Sequence, residues 1–277
     1  MVKNIDIQEI NSIAKEAGNE LMEIYQQDFN IKFKKDYSPL TKADLKSNEI
    51  ITNRLKNLYP NIPILSEENE SVSYNIRKNW EYFWLIDPLD GTKEFIKKNG
   101  EFTVNIALIH KDTPVLGVIY APALNLLYYA QKDKGAFKQE KNKNPQRLPI
   151  FIHSNNNDIL KIIVSKSHYN QETKEFVNNL KNQYKKDIEF IHIGSSLKFC
   201  LIAEGKADIY PRLAPTMEWD TAAGQIIVKE ARGKVFKFNT QESLKYNKQN
   251  LLNPWFVTQR INIQQINGLM TYLRSGN

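Results

Sequence analysis

Residues 84–95 hold the densest group of potentially reactive side chains, with two aspartates separated by a proline and a leucine. The apolar residues before Asp87 predict a buried strand, which would leave Asp87 and Asp90 close together at its end. Pro88 fixes the backbone between them, so that the Leu89 carbonyl can point the same way. Two unit negative charges about 4 Å apart repel by roughly 4 kcal/mol at an effective dielectric constant of about 20, so the pair favours a cation. Oxygen ligands alone select hard metals, with Mg²⁺ first.

A phosphate site is predicted directly after this pair. Gly91 and Thr92 occupy the first turn of the helix that follows. Unpaired backbone N–H groups and the positive end of the helix dipole attract anions there, and a bound phosphate would touch the metals. The alternative for this segment is structural, with Asp90 capping the helix and Asp87 lying in a turn.

Two more carboxylates are candidates to complete the metal set. Glu67 follows the apolar run 62–65, which predicts a short buried strand, and Asp220 is predicted to open a helix. Taken alone, Glu67 could equally lie in a solvated turn and Asp220 could be a helix cap. A further acid, Asp44, lies in the first turn of a helix predicted over 41–59, where the helix dipole by itself favours negative charge.

The elements around these residues predict two lobes. Apolar residues at helical spacing predict an amphipathic helix over 10–25, and period-two alternation predicts a half-buried strand over 101–109. Turn signals then separate three short strands of an antiparallel meander, so the first half is α+β. The second half alternates strands and helices over 159–233, which is α/β order.

The boundary between the lobes is predicted in the polar region 139–157. This gives an α+β lobe over 1–150, with most of the metal ligands, and an α/β lobe over 151–277, with Asp220. In the second lobe, Gly233 is expected to end the helix that Asp220 opens. A final helix is expected to carry the apolar residues Ile263, Ile266, Met270 and Leu273.

The composition is that of an ordinary globular protein. The 277 residues are 41% hydrophobic and 25% charged, which excludes collagen-like and disordered chains. The apolar runs are far shorter than the ~20 residues of a membrane-spanning helix, and no signal-peptide core follows Met1. One cysteine, Cys200, cannot form an internal disulfide, so a cytoplasmic location is predicted, with this thiol in the core.

The net charge of +7 does not predict nucleic-acid binding. The lysines are scattered, without an aromatic-interleaved basic stripe or a basic tail. A solvated surface explains them, and a positive field would also attract small anionic substrates such as phosphates.

Three motifs, taken together, resemble the inositol monophosphatase superfamily of Mg²⁺-dependent, Li⁺-inhibited phosphatases. They are SEE at 66–68, WLIDPLDGT at 84–92 and EWDTAAG at 218–224. A closer similarity to the bacterial 3′(2′),5′-bisphosphate nucleotidases is carried by KEFI at 93–96, NGEFTVNIALI at 99–109 and GSSLKFC at 194–200. The resemblance implies a layered αβαβα sandwich of the inositol monophosphatase and fructose-1,6-bisphosphatase type, with the active site between the lobes. It fades over 139–160 and after 233.

The resemblance also implies a role for each metal-site residue. Asp87 would bridge two Mg²⁺ ions, with Glu67 and the Leu89 carbonyl completing the first site. Asp90 and Asp220 would hold the second ion. The resemblance implies two or three ions per site and inhibition by Li⁺, and it leaves Mn²⁺ open as a substitute.

A catalytic pair is implied in the same way. Thr92, paired with Asp44, would orient a metal-bound water that attacks phosphorus in line. Coordination lowers the pKa of such a water from about 15.7 towards about 7, and two metals also stabilise the leaving oxygen. The substrate phosphate would contact Glu67, Leu89, Asp90, Gly91, Thr92 and Asp220.

On the nucleotide side, the similarity points to Ser195, Ser196, Lys198 and Arg212 around a second phosphate and the sugar, with His168 near the base. The two serines at a helix start would form a further anion site, and Arg212 could bind a phosphate in bidentate fashion. The structural alternatives for these residues are a helix cap and a surface ion pair.

The implied activity is removal of the 3′-phosphate from adenosine 3′,5′-bisphosphate to give AMP, with 3′-phosphoadenosine 5′-phosphosulfate as a further substrate, in sulfur metabolism. The alternative is a phosphatase for inositol monophosphate or another sugar phosphate, which would not need the charges of Lys198 and Arg212. A non-catalytic nucleotide or RNA-binding module would require a broken metal set, but all the carboxylates are present. The predicted partner is a small nucleotide bisphosphate and not a nucleic acid. The choice between monomer and homodimer, and peripheral contact with the inner face of the cell membrane, stay open.

Overall fold

The computed structural model describes residues 5–27, 31–33, 39–150, 159–165 and 170–260. Seven α-helices lie in these ranges. They are α1 (Ile7–Tyr25), α2 (Lys42–Leu58), α3 (Tyr74–Arg77), α4 (Thr92–Ile96), α5 (Gln171–Tyr184), α6 (Leu197–Glu204) and α7 (Ala222–Glu230). None of the helices in the described ranges is both long enough and apolar enough to cross a membrane.

The strands of the same ranges form one hairpin and two larger sheets. The hairpin pairs β1 (Ile31–Phe33) with β2 (Pro39–Thr41). The first sheet contains, in order, β3 (Ile64–Ser66), β4 (Tyr82–Asp90), β5 (Thr103–His110), β6 (Thr113–Ala121), β7 (Leu126–Gln131), β8 (Gly135–Glu140) and β9 (Gln146–Arg147). The second contains β10 (Ile159–Val164), β11 (Asp187–His192), β12 (Ile209–Arg212), β13 (Lys234–Lys237) and β14 (Phe256–Gln259), in the order β11-β10-β12-β14-β13.

The first sheet is buried on both faces by packed helices, and because successive side chains of a strand point to opposite sides, neighbouring residues of β4 lie in different apolar clusters. Trp84 of β4 belongs to an apolar cluster with Ile13 of α1, on the side that also receives α2. Its neighbour Phe83 belongs to a second cluster with Ile226 of α7. A strand that contacts helices on both faces needs a continuous apolar run, and this explains why β4 is so apolar.

The second sheet completes the layering. Ile163 of β10 joins the cluster that contains Ile226. Ile162, on the opposite face, packs in a third cluster with Phe176 and Leu180 of α5. The layers are therefore α1 with α2, the first sheet, α6 with α7, the second sheet, and α5, which confirms the predicted αβαβα sandwich.

The C-terminal end of α6 is fixed to the first sheet by a buried polar group. The Glu204 carboxylate is fully buried and accepts a hydrogen bond of 2.6 Å from the Tyr128 hydroxyl. It also lies 3.2 Å from Lys138 Nζ and 2.9 Å from Lys206 Nζ. Cys200, on the same helix, is fully buried, and burial raises the pKa of its thiol, as expected for a core residue.

One prediction at the last described helix was wrong. Asp220 does not open α7, because it ends a separate 3₁₀ turn over Glu218–Asp220. α7 ends at Glu230, shortly before Gly233, and the Gly233 N–H donates to the Val228 carbonyl over 2.8 Å. The left-handed residue of this turn is Arg232, with φ of 67°. Gly233 also allows a close approach between elements, because a Cβ there would lie 2.7 Å from the carbonyl oxygen of Gln259.

Other predictions differ from the structure in extent or are not tested. The polar region after residue 139 contains the turn between β8 and β9, so its start is a hairpin. The helix expected at 263–273 lies outside the described residues. The division into lobes of 1–150 and 151–277 stays a prediction.

Candidate active site

The two aspartates of β4 lie at an irregular end of the strand. Pairing with β5 is regular as far as Asp87, which is opposite Asn105, and then shifts register before Asp90. The Leu89 N–H donates to Asp87 Oδ1 over 3.1 Å, so the backbone turns around this carboxylate. β4 continues to Asp90, and the register shift bends the strand between the two aspartates.

Glu67 is placed beside Asp87 by the pairing of β3 with β4. The strands are parallel, with Ser66 opposite Ile86. The Glu67 N–H then donates to the Ile86 carbonyl over 3.2 Å, so the chain follows β4 for one more residue. Each strand therefore delivers a carboxylate at the same edge of the sheet, as the sequence predicted.

Asp220 reaches the same place from the second half of the chain. Its Oδ2 accepts a hydrogen bond of 2.8 Å from the Met217 N–H, which fixes the side chain within its 3₁₀ turn. Carboxylate oxygens of Glu67, Asp87 and Asp220 all lie within 4.8 Å of one another. Asp90 is not a member of this group, although it was expected among the metal ligands.

The electrostatics of the cluster fit a divalent cation. Burial, followed by the charges of Glu67 and Asp90, raises the pKa of Asp87 well above its usual range. Burial and the charge of Asp90 raise the pKa of Asp220 to about 8. Carboxylates held so close together without a counter-charge are unfavourable, and a donor set of oxygen atoms alone suits a hard ion such as Mg²⁺.

These shifts predict an unusual pH dependence of stability. A carboxyl whose pKa is higher in the folded than in the unfolded protein binds protons better when folded. Chelator-treated protein should therefore gain stability as pH falls from 8 to 6, which thermal unfolding would detect as a rise of about 2–4 °C for each kcal/mol.

Asp220→Asn should weaken this pH dependence, whereas Asp133→Asn, which changes an exposed carboxylate, should leave it intact. A melting temperature that falls on acidification of the chelated wild-type protein would contradict the raised pKa values.

Asp44 and Thr92 form the second predicted group. Asp44 is buried in the first turn of α2, and Thr92 Oγ1 lies 3.3 Å from Asp44 Oδ1 and 3.3 Å from the Leu89 carbonyl. Ser47 Oγ donates to the Pro88 carbonyl over 2.7 Å, which holds α2 against the end of β4. The pair that the sequence predicted is therefore within hydrogen-bond distance.

A cavity beside the carboxylates contains most of the predicted nucleotide-side residues. Its lining includes Asp90, Gly91, Ser195, Ser196, Lys198, Arg212 and Asp220. Lys198 is almost fully buried, and its Nζ donates to the Ser195 carbonyl over 2.8 Å. Burial lowers the pKa of this amine to about 8. Arg212 donates to the Pro215 carbonyl over 2.9 Å. His168 lies outside the described residues.

Gly91 has the left-handed conformation that favours glycine, with φ of 91°. A Cβ there would lie 3.1 Å from the Glu101 carbonyl oxygen and 3.3 Å from Ser195 Cβ. A larger residue at position 91 would therefore push Glu101 and Ser195 away from the start of α4. Anion binding by the backbone after Gly91 stays a prediction.

Several residues of this site were not predicted. Lys93 and Glu94 also line the cavity. Asn105 lies in β5 and contacts both Asp90 and Ser196. In the sequence, Asn105 is one of the polar residues that alternate with apolar ones in β5, and such a pattern alone does not distinguish a buried polar residue from a solvent-facing one.

Carboxylates that meet between two sheets of an αβαβα sandwich, next to a cavity lined by the buried Lys198 and the partly exposed Arg212, define a metal-dependent phosphatase. The sequence pattern of the inositol monophosphatase family matches residues 3–267, so the chain belongs to this family. The resemblance found in the sequence is thereby confirmed.

Within this family, the chain is similar to several 3′(2′),5′-bisphosphate nucleotidases. The chain is 42% identical over 253 residues to the 3′(2′),5′-bisphosphate nucleotidase CysQ of Salmonella typhimurium, covering 90% of this chain and 98% of the relative. It is 46% identical over 232 residues to the protein of the same name from Buchnera aphidicola, covering 83% of each chain. The crystal structure of CysQ from Bacteroides thetaiotaomicron has 42% identity and a TM-score of 0.79, over 91% of this chain and 95% of that one.

Proposed function

We propose that this chain hydrolyses the 3′-phosphate of adenosine 3′,5′-bisphosphate, giving AMP and phosphate, and that it also acts on 3′-phosphoadenosine 5′-phosphosulfate. One observation carries the proposal: a single cavity is lined by Asp90 and Asp220 and also by the cations Lys198 and Arg212. A substrate with two phosphates matches that combination. The names of the similar nucleotidases support the same choice.

The carboxylates Glu67, Asp87, Asp90 and Asp220, with the Leu89 carbonyl, would hold the metal ions, and Mg²⁺ is the ion that we propose. When bound, such ions lower the pKa of water and neutralise charge on the leaving oxygen. Burial and the neighbouring carboxylates raise the pKa of Asp87, and this crowding of negative charge supports the assignment.

The remaining steps belong to side chains of this protein. The Asp44 carboxylate accepts a hydrogen bond from the Thr92 hydroxyl, which leaves the threonine oxygen free to accept one from the attacking water. This arrangement would orient the water towards phosphorus. Lys198 and Arg212 would bind the 5′-phosphate, with Ser195 close to the same group.

The proposed setting is the cytoplasm, in the recycling of adenosine 3′,5′-bisphosphate during sulfur metabolism. Whether the protein is a monomer or a homodimer, and whether it contacts the inner face of the membrane, stay predictions that the function does not require.

The test compares phosphate release from adenosine 3′,5′-bisphosphate and from inositol 1-phosphate, each with Mg²⁺, with a chelator and with added Li⁺. We expect strong preference for the bisphosphate, loss of activity on chelation and inhibition by Li⁺. Preference for inositol 1-phosphate would keep the metal chemistry but reject the second-phosphate site. No turnover of either substrate would reject the proposal.

A variant tests the second-phosphate site directly. Lys198→Met should raise KM for the bisphosphate about 10- to 100-fold, because a hydrogen bond to a charged group is lost. Turnover of inositol 1-phosphate should change little. Lys132→Met, which removes an exposed lysine that does not line the cavity, is the matched control. Equal effects of the two lysine variants would contradict the assignment.

A further inference from the structure

A chain of buried hydrogen bonds ends on Asp90. Thr103 Oγ1 donates to Asn105 Oδ1 over 3.0 Å, and Asn105 Nδ2 donates to Ser196 Oγ over 2.9 Å. Ser196 Oγ in turn donates to Asp90 Oδ2 over 2.6 Å. Asn105 Nδ2 also reaches Asp90 Oδ2 directly, over 3.4 Å. Thr103, Asn105 and Ser196 are all buried.

The order of donors in this chain is defined. Because Asn105 Oδ1 accepts from Thr103, the amide nitrogen of Asn105 faces Ser196. The serine oxygen then accepts that bond and keeps its own proton for a carboxylate or carbonyl. Its two acceptors are Asp90 Oδ2 and, over 3.0 Å, the main-chain carbonyl of Asp220. Bonds to an ionised acceptor are shorter and stronger, which agrees with the 2.6 Å distance to Asp90.

The segment just before α6 makes a second contact with the residues around β5. The Gly194 N–H donates to Glu101 Oε2 over 2.8 Å, two residues before Ser196. Glu101 lies just before β5, and Asn105 lies within it. The two residues therefore hold the start of α6 at two points. Ser196 is thereby fixed between Asp90 from one half of the chain and Asp220 from the other.

Burial of these polar groups is costly unless each has a partner, and a strand that served only packing would carry apolar side chains at 103 and 105. Both donors to Asp90 bond Oδ2, and within the described residues Oδ1 has no hydrogen-bond donor. The network thus fixes the carboxylate rotation and leaves one oxygen for a ligand.

We infer that Ser196 and Asn105 are positioning residues, which hold the Asp90 carboxylate in the orientation that binds the metal and the reacting phosphate. Asn105 acts mainly through Ser196. The inference rests on the proposed function insofar as Asp90 is a ligand there. It assigns Ser196 to Asp90, where the sequence had suggested contact with the nucleotide.

The test measures Mn²⁺ binding to the full chain by electron paramagnetic resonance, without substrate, together with kcat and KM for the bisphosphate. Partners that orient metal ligands typically contribute 10- to 100-fold in metal affinity or activity. Ser196→Ala should therefore raise the half-saturating Mn²⁺ concentration about 10- to 100-fold, and Asn105→Ala should raise it about 10-fold. Both should lower kcat more than they raise KM.

Coupling between the two residues separates positioning from general packing. The double variant should bind Mn²⁺ about as weakly as Ser196→Ala alone, because contacting residues in one network are not additive. Asn11→Ala is the matched control, since Asn11 is a buried amide (3% exposed, against 2% for Asn105) on α1, which does not line the cavity. It should leave Mn²⁺ binding unchanged.

Two further variants test whether a loss of Mn²⁺ binding results from unfolding. Thr103→Val keeps the side-chain shape while removing the donor that orients Asn105, and it should weaken Mn²⁺ binding about threefold, a smaller loss than those of direct partners. Ser196→Thr keeps the hydroxyl and should restore most of the affinity lost in Ser196→Ala. Circular dichroism would verify that each variant is folded.

Wild-type Mn²⁺ binding by folded Ser196→Ala and Asn105→Ala would overturn the inference, as would fully additive losses in the double variant. These outcomes are independent of the substrate assay. If the wild-type protein released no phosphate from the bisphosphate but the coupled loss of Mn²⁺ affinity were observed, the proposed function would fail and the positioning role would stand.

Discussion

Replacing Asp87 with asparagine is expected to lower kcat by about a thousandfold or more while making the metal-free protein more stable. Asp87 is buried at the centre of the carboxylate cluster, and a loss of this size corresponds to about 4 kcal/mol of transition-state stabilisation. The same change removes one charge from a repulsive group. Activity and stability should therefore move in opposite directions, as is common at functional sites.

The measurement pairs phosphate release in Mg²⁺ with urea unfolding in a chelator. Asp187→Asn, at an exposed aspartate of β11, is the control and should change neither quantity. Near-normal turnover by Asp87→Asn would reject the metal assignment. Reduced stability in the chelator would instead show that the aspartate is stabilised by its hydrogen bond with Leu89 more than it is destabilised by its neighbours.

The second large effect is expected for Asp44→Asn. This variant should reduce kcat about 100- to 1000-fold, because a positioned acid–base group typically contributes a factor of this size. The change in KM should be smaller. Asparagine can still contact Thr92, but it does not accept the hydroxyl proton as strongly as a carboxylate. Thr92→Val should give a loss of similar size. The double variant should be little worse than either single one, because both act on the same proton.

Thr92→Ser keeps the hydroxyl and should retain most of the activity. Thr52→Val is a matched control on α2, where the hydroxyl donates to the Asn48 carbonyl over 2.7 Å and is not in the site. Equal losses in kcat and in substrate affinity for Asp44→Asn would indicate a binding role and not an orienting one.

The first half of the site could be predicted because its signals are local. An apolar run followed at once by an acid identifies the end of a buried strand, and this places Glu67 and Asp87 at one edge of a sheet whatever the rest of the fold. The position of Asp44 in the first turn of α2 follows in the same way from the helix start.

The other features of the site and the fold could not be predicted, because they depend on contacts between distant parts of the chain. Asn105 and Ser196 are 91 residues apart, and no spacing rule relates them. The role of Gly233 is partly non-local, because a Cβ there would clash with the Gln259 carbonyl as well as with Val228 of α7. Even the exact end of β4 depends on a register shift against β5, which the apolar pattern does not record.

The strand order of the second sheet has a consequence for folding during synthesis on the ribosome. β14 lies between β12 and β13 and pairs with both, although it is the last of the described strands to be synthesised. The first sheet, by contrast, is complete once Arg147 has emerged. Because domains generally fold in the order of synthesis, the nascent chain can arrange Glu67 and Asp87 long before the sheet beneath α7 is closed. Translation that stopped before β14 would leave β12 and β13 without the strand that joins them.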